Sequence, residues 1–227
     1  MHRKWIAGIS TLLVAISCAA FFADSRTDAA MQAAVSGARV DDVPRIKLYD
    51  TTPDVVAGRE TELDPTEPTL DLYIPPSDTA TGAGVLILPG GGYQMLTVPG
   101  EGAEPARFFV SHNVAAFVLR YRHGPRYHYP TTLLDAQRAL RLIRARAQEY
   151  RVDPAKVGVL GGSAGGHLAA MLATLYDNKL LPDAPYVADA TDGLNAKPAF
   201  ALLLYPVIDP RLVAMLSSQS VARCAPR

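Results

Sequence analysis

The sequence predicts an α/β fold, a mostly parallel sheet with helices on both faces. Three observations predict it. Four apolar runs (residues 85–88, 114–119, 157–160 and 200–205) are continuous rather than alternating, as in strands covered on both sides. Helical segments at about 101–111, 131–150 and 163–176 lie between them, so strand and helix alternate along the chain. The third run also leads straight into Gly161-Gly162-Ser163-Ala164-Gly165-Gly166-His167, a glycine-flanked serine between a strand and a helix.

The outer strands come first and read differently. Arg45-Ile46-Lys47-Leu48-Tyr49 alternates polar with apolar, the pattern of a half-buried strand. Thr69-Leu70-Asp71-Leu72-Tyr73-Ile74 alternates again and stops at Pro75-Pro76, which suits an outer position in the sheet. In the segment 131–150, Leu133, Ala136, Leu140, Ile143 and Ala147 recur at three- and four-residue steps and form one buried stripe, with Pro130 at its start. Arg138, Arg141, Arg144, Arg146 and Arg151 follow the same segment and read as a solvated helix face. Tyr150 is the single aromatic residue among them, too little for a platform that stacks nucleic-acid bases.

Composition bounds the rest. A chain of 227 residues, 49% hydrophobic and 19% charged, fits one globular domain with a core. Lys+Arg and Asp+Glu balance at 22 each, which leaves no net field for nucleic acid or an acidic membrane surface. His2-Arg3-Lys4 followed by an apolar run over residues 5–20, with Ala19, Ala20 and Ala23 as small cleavage options, predicts a signal peptide over 1–23 and a secreted or periplasmic destination. That run is shorter than the roughly 20 residues a spanning helix needs. A second reading makes Cys18 a lipid anchor, because Ala15-Ile16-Ser17-Cys18 resembles a bacterial lipoprotein box. Removal of the signal leaves Cys224 alone, so no internal disulfide is expected, and neither cysteine has metal-ligand spacing. Residues 24–44 read as a flexible linker and 45–227 as the folded domain.

Two motifs carry chemistry. At the sharp strand-to-helix turn Ser163 is expected to project its hydroxyl above the sheet, with the Ala164 N–H at the helix start facing a developing oxyanion. Pro89-Gly90-Gly91-Gly92-Tyr93 follows the strand at 85–88, and its consecutive glycines let backbone N–H groups turn inward. Gly91 and Gly92 are therefore candidates for the second half of an oxyanion hole. His123 and His128, in the loop at 121–130 after a strand, are candidates for lining a pocket, as is Tyr93. His167 reads as structural and His112 as a surface residue.

These motifs, in this order, resemble the α/β-hydrolase superfamily, and within it the acetylxylan-esterase-like and feruloyl-esterase-like carbohydrate esterases. The matching residues are Leu70-Asp71-Leu72-Tyr73-Ile74-Pro75, Pro89 to Tyr93, Phe117 to Arg122, Pro130 with Asp135, Val152-Asp153-Pro154 through Val159, Gly161 to Leu168, and Leu204-Tyr205-Pro206-Val207. The resemblance implies the α/β-hydrolase fold and a serine hydrolase for acetyl or acyl esters on plant-polysaccharide sugars. Ser163 would be its nucleophile, with no cofactor and a small-molecule or oligosaccharide ester as partner.

One part of that pattern is missing. The fold orders its triad as serine, acid, histidine along the chain. No histidine follows His167, and Asp209 comes too early for the acid. The expectation is a domain truncated at its C-terminus, lacking the last strands, and inactive or nearly so. It would also expose the run 201–205 as a sheet edge open to self-association. The sequence admits two other readings. Gly161 and Gly166 have the glycine spacing of a phosphate-binding loop, but His167 and Leu168 replace its lysine and hydroxyl residue. A degenerate esterase that binds carbohydrate without catalysis would use Tyr93, Tyr127 and Tyr129 as sugar platforms.

Overall fold

Alternate residues along the inner strands face opposite helical layers, and both sides are buried. A computed structural model of the chain describes residues 43–56, 65–178 and 186–209, all within one compact unit. The signal-peptide segment, Cys18, Cys224 and nearly all of the 24–44 linker lie outside the described residues. The strands are β1 (Arg45–Lys47), β2 (Thr69–Tyr73), β3 (Gly84–Leu88), β4 (Ala115–Arg120), β5 (Val157–Gly162) and β6 (Ala201–Leu204). The helices are α1 (Glu104–Ser111), α2 (Thr131–Ala145) and α3 (Ser163–Thr174).

The sheet order is β1-β2-β4-β3-β5-β6, with β2 antiparallel to both neighbours and the β4-β3-β5-β6 pairs parallel. The chain steps from β3 to one side through α1, then crosses over β3 to β5 through α2. Right-handed crossovers in opposite directions put helices on opposite faces. Accordingly Val85, Ile87, Ala116 and Val118 pack with Ala103 and Ala106 on the α1 side. Leu86, Leu88, Phe117, Leu119 and Val159 pack with α2 and α3 on the other. Because the order reverses at β3, the loops leaving β3 and β5 meet above adjacent strand ends, where open α/β sheets bind ligands.

The helices differ in detail from the sequence expectation. The segment from 101 begins as a wider turn, Val98–Ala103, before α1 proper, and α2 stops at Ala145 rather than 150. The α2 stripe is as expected: Leu133, Ala136, Leu140 and Ile143 are all fully buried.

The arginine row is a correction. Arg146 and Arg151 are exposed as expected, but Arg138, Arg141 and Arg144 are not a solvated face. Arg138 is buried, donates to the Leu48 carbonyl (2.9 Å) and pairs with Asp189 and Asp192. Arg141 donates to the Leu194 carbonyl, and Arg144 to those of Pro154, Asn195 and Lys197. Spaced three residues apart, these side chains leave one helix face and fasten the segment 189–197 to α2. Guanidinium forks suit carbonyls and carboxylates that a sequence pattern does not reveal.

A buried ion pair fixes the end of β4. The Asp135 carboxylate on α2 accepts from the Arg122 N–H and Nε, each at 3.0 Å, and from Nη2 at 2.7 Å. Both side chains are fully buried, and Nη1 reaches the Pro53 carbonyl. Tyr127 and Tyr49 flank the guanidinium at 5.3 and 5.9 Å. Burial works against the Arg122 charge, but Asp135 more than offsets it and keeps the guanidinium protonated.

The run 201–205 forms β6, paired to β5 on one side, yet all four β6 residues are exposed. Leu202, Leu203, Leu204 and Tyr205 remain 39–57% accessible. Among the described residues no strand pairs with the far edge of β6.

Removing one member of the buried pair leaves the other uncompensated. Asp135→Ala should therefore lower unfolding free energy by about 3–5 kcal/mol in urea titrations. A loss below about 1 kcal/mol, the scale of an exposed pair, would refute this assignment.

Candidate active site

Ser163 sits at a strained junction held by close backbone contacts. Gly162 ends β5 in an extended conformation, and Ser163 opens α3 with φ +50°, a left-handed value that costs a non-glycine residue energy. Glycines permit it. A Cβ on Gly161 would lie 2.1 Å from the Gly165 carbonyl oxygen, and one on Gly165 would lie 1.9 Å from the Leu88 carbonyl oxygen. Any larger residue would push α3 away from β3 and β5. Ser163 is partly exposed, its carbonyl accepts the Val207 N–H (3.2 Å), and among the described residues its hydroxyl takes no hydrogen bond.

The glycine loop lies against this turn. A Cβ on Gly90 would come within 3.1 Å of the Ser163 Cβ. Successive carbonyls of the loop are all committed elsewhere. Pro89 accepts from the Tyr121 hydroxyl at 2.6 Å, and Gly90 from the Thr97 N–H and hydroxyl at 2.9 and 3.1 Å. Gly91 accepts from the Gln94 and Met95 N–H groups at 3.1 and 3.2 Å. In a trans peptide the N–H points opposite to the carbonyl. The N–H groups of Gly91 and Gly92 are thus turned away from these partners, and among the described residues nothing accepts them. Positive φ values at Gly91 (131°), Gly92 (63°) and Tyr93 (57°) make that turn. The Ala164 N–H belongs to the first turn of α3, where helix amides have no partner within the helix. The amides of Gly91, Gly92 and Ala164 are thus uncommitted among the described residues, and they lie on two segments that meet at Gly90 and Ser163.

The other expected site residues divide. Tyr93 and His123 are fully buried and offer a ligand no surface, contrary to the expectation that they line a pocket; His128 is partly exposed. Tyr93 instead braces the loop from beneath. Its hydroxyl meets His167 Nδ1 at 2.8 Å and its ring meets Tyr121 edge-on. His167 is therefore structural, as its sequence position suggested. His123 Nδ1 donates to the Gly124 carbonyl at 2.8 Å, and His112 is exposed at the end of α1. Tyr127 is buried, with its hydroxyl accepting from the Val56 N–H, so neither Tyr93 nor Tyr127 is a sugar platform.

Sequence reasoning missed Glu101. Its Oε2 accepts the Gly90 N–H at 2.8 Å and lies 2.8 Å from where a Gly162 Cβ would stand. The Tyr205 hydroxyl is 3.1 Å from the same point. Glu101 read as the start of an amphipathic helix. Only its place one short turn beyond the glycine loop could have drawn attention. Among the described residues no group of three or more His, Cys, Asp or Glu side chains could hold a metal, and no helix is long and apolar enough to cross a membrane.

Comparisons with known proteins bear on the family and the fold. The BD-FAE family model matches residues 70–209. An acetylxylan esterase of Xylanibacter ruminicola is 28% identical over 170 residues, 64% of this chain and 32% of that protein. The crystal structure of an acetyl ester-xyloside bifunctional hydrolase from Caldicellulosiruptor lactoaceticus superposes with a TM-score of 0.65 at 31% identity, covering 80% of this chain and 62% of that one. Thermogutta terrifontis esterase 2 phosphorylated by paraoxon gives a TM-score of 0.55 at 26% identity over 73% of this chain and 57% of that one. The chain thus spans about a third of the curated acetylxylan esterase and under two thirds of these structures.

His167 makes a pH-dependent contribution. Burial pushes its imidazole below the usual range, and in the Nε2–H tautomer Nδ1 accepts the Tyr93 O–H. The unfolded chain takes up a proton near pH 6.5, the folded one only at lower pH, so stability falls as pH drops from about 6.5 through the folded value. His167→Gln, which keeps an acceptor but does not titrate, should show a shallower fall in urea midpoint between pH 7.5 and 5. Parallel pH profiles for the two proteins would contradict the assignment.

Proposed function

Because the chain belongs to the BD-FAE family of α/β-hydrolase esterases, we propose that it cleaves carboxylic esters through Ser163. The carrying observation is the Ser163 hydroxyl, free of protein partners among the described residues, on a turn that abuts Gly90, the residue preceding the uncommitted amides of Gly91 and Gly92. In this reading Oγ attacks the ester carbonyl carbon, the carbonyl π electrons move onto oxygen, and the amides of Ala164 and of Gly91 or Gly92 hold the resulting oxyanion. One such donor contributes roughly 3–4 kcal/mol to transition-state stabilisation. Collapse of the intermediate expels the alcohol and leaves an acyl-serine for water to cleave. The names of the similar proteins favour acetyl or other acyl groups on xylan-type sugars. The N-terminal pattern supports export.

Proton transfer is the weak step. Of the four histidines among the described residues, His167 is committed to Tyr93, His123 is buried against Gly124, and His112 is at the far end of α1. His128 lies in the loop at 121–130, with Nδ1 buried and unbonded, and is not placed on Ser163 by any contact. A serine without a base keeps an ordinary, weakly nucleophilic hydroxyl. Serine hydrolases stripped of a triad member keep only about 10³–10⁴-fold acceleration over water. Slow turnover is therefore proposed for this chain, together with self-association through the exposed β6 edge.

With a fluorophosphonate at neutral pH the chain should label slowly, at Ser163 only, and faster when imidazole is added. Labelling that persists in Ser163→Ala would overturn the nucleophile, and rapid labelling without imidazole would overturn the missing base. Size-exclusion chromatography with light scattering should show concentration-dependent oligomers that Leu203→Lys reduces. A monodisperse monomer at all concentrations would contradict the edge assignment.

A further inference from the structure

We infer that Glu101 is the positioning residue of the amide cradle, acting through the Gly90 peptide as a hydrogen-bond acceptor. The inference deepens, and rests on, the ester-hydrolase reading of the Ser163 site. Gly90 immediately precedes the two glycines whose N–H groups are uncommitted, and its peptide groups are clamped from both sides by one segment. Glu101 Oε2 accepts its N–H at 2.8 Å, while the Thr97 N–H and hydroxyl cover its carbonyl. The clamp is itself fixed, because the Glu101 N–H donates to the Thr97 carbonyl at 2.9 Å.

The same carboxylate oxygen sits between the loop and the serine turn. It lies 2.6 Å from the position of a Gly90 Cβ and 2.8 Å from that of a Gly162 Cβ. Both glycines leave room for it. Each motif thus contributes one wall of a slot that holds Oε2, so the carboxylate sets their separation as well as the tilt of the Gly90 peptide. Gly90 is buried, and without the acceptor its N–H would be left unsatisfied. Rotating the Gly90 peptide to find another partner would swing the Gly91 and Gly92 amides away from the serine. A shift of about 1 Å in such groups is enough to cost roughly 10²-fold in rate.

The acceptor role is separable from charge by comparing three substitutions in the full chain. Glu101→Gln keeps an oxygen of the same reach and loses the charge. Glu101→Asp keeps the charge and withdraws the oxygen by one methylene, and Glu101→Ala removes both. Two readouts are taken: hydrogen–deuterium exchange of peptides covering residues 88–96, and single-turnover acylation of Ser163 by p-nitrophenyl acetate. The inference expects Asp and Ala to speed loop exchange about tenfold and slow acylation about 10²-fold, with Gln within about threefold of wild type in both. Impaired Gln with unimpaired Asp would overturn it in favour of a purely electrostatic role. Unaltered loop exchange in Asp and Ala would overturn it outright. Should Ala fail to fold, the Gln and Asp pair still decides. If the wild type is never acylated at Ser163, the ester-hydrolase reading falls, while the exchange order among the variants still tests Glu101.

Discussion

The backbone of α3 comes to rest directly on the end of β3, at Gly165 over the Leu88 carbonyl. A Cβ there would fall 1.9 Å from that oxygen, so the approach exists only because the residue is glycine. Much follows from this contact. It fixes where α3 begins, forces Ser163 into the left-handed region, and brings the turn beside the loop that leaves β3. Strain at Ser163 persists because the surrounding packing over-determines it. The reversal of strand order at β3 supplies the other half of the constraint, since it puts these two loops above neighbouring strands.

Around that junction the molecule spends its polar groups on backbone. The carbonyls of Pro89, Gly90 and Gly91 are each bonded away from the serine, which is how adjacent amides come to be left over. The pattern recurs outside the site. Arg122 with Asp135 ties the end of β4 to α2 and to the Pro53 carbonyl, and the α2 arginines hold the chain on its return toward β6. Few of these partners are other side chains at helical spacing. Most are carbonyls far away in sequence. The result is a hydrogen-bonded frame that holds a short glycine loop through its own peptide groups.

That division explains what could be read beforehand. Continuous apolar runs located β3, β4 and β5, because burial on both faces leaves no room for alternation. The GGSAGG and PGGGY motifs located the serine turn and the amide loop, because only glycine fits those backbones. Arg138, Arg141 and Arg144 were misread as solvated, since their partners at Leu48, Leu194 and Asn195 become neighbours only through the tertiary fold. Tyr93 and His123 were expected at a surface and lie buried, because position at a strand's C-terminal end says which loop a residue is in and not which way its side chain turns. Glu101 gave no signal for the same reason. Its importance is a distance of 2.8 Å to Gly90 across eleven residues of chain, and no periodicity encodes that.

The central proposal, that the uncommitted backbone amides of Gly91 or Gly92 and of Ala164 hold an anionic oxygen formed at Ser163, is tested most directly by a crystal structure of the chain after reaction with paraoxon. The account predicts a phosphoryl group on Ser163 Oγ with one non-bridging oxygen within hydrogen-bond distance of the Ala164 N–H and of Gly91 or Gly92. An adduct whose oxygens all face solvent, or a glycine loop turned with its carbonyls toward the phosphoryl group, would contradict it.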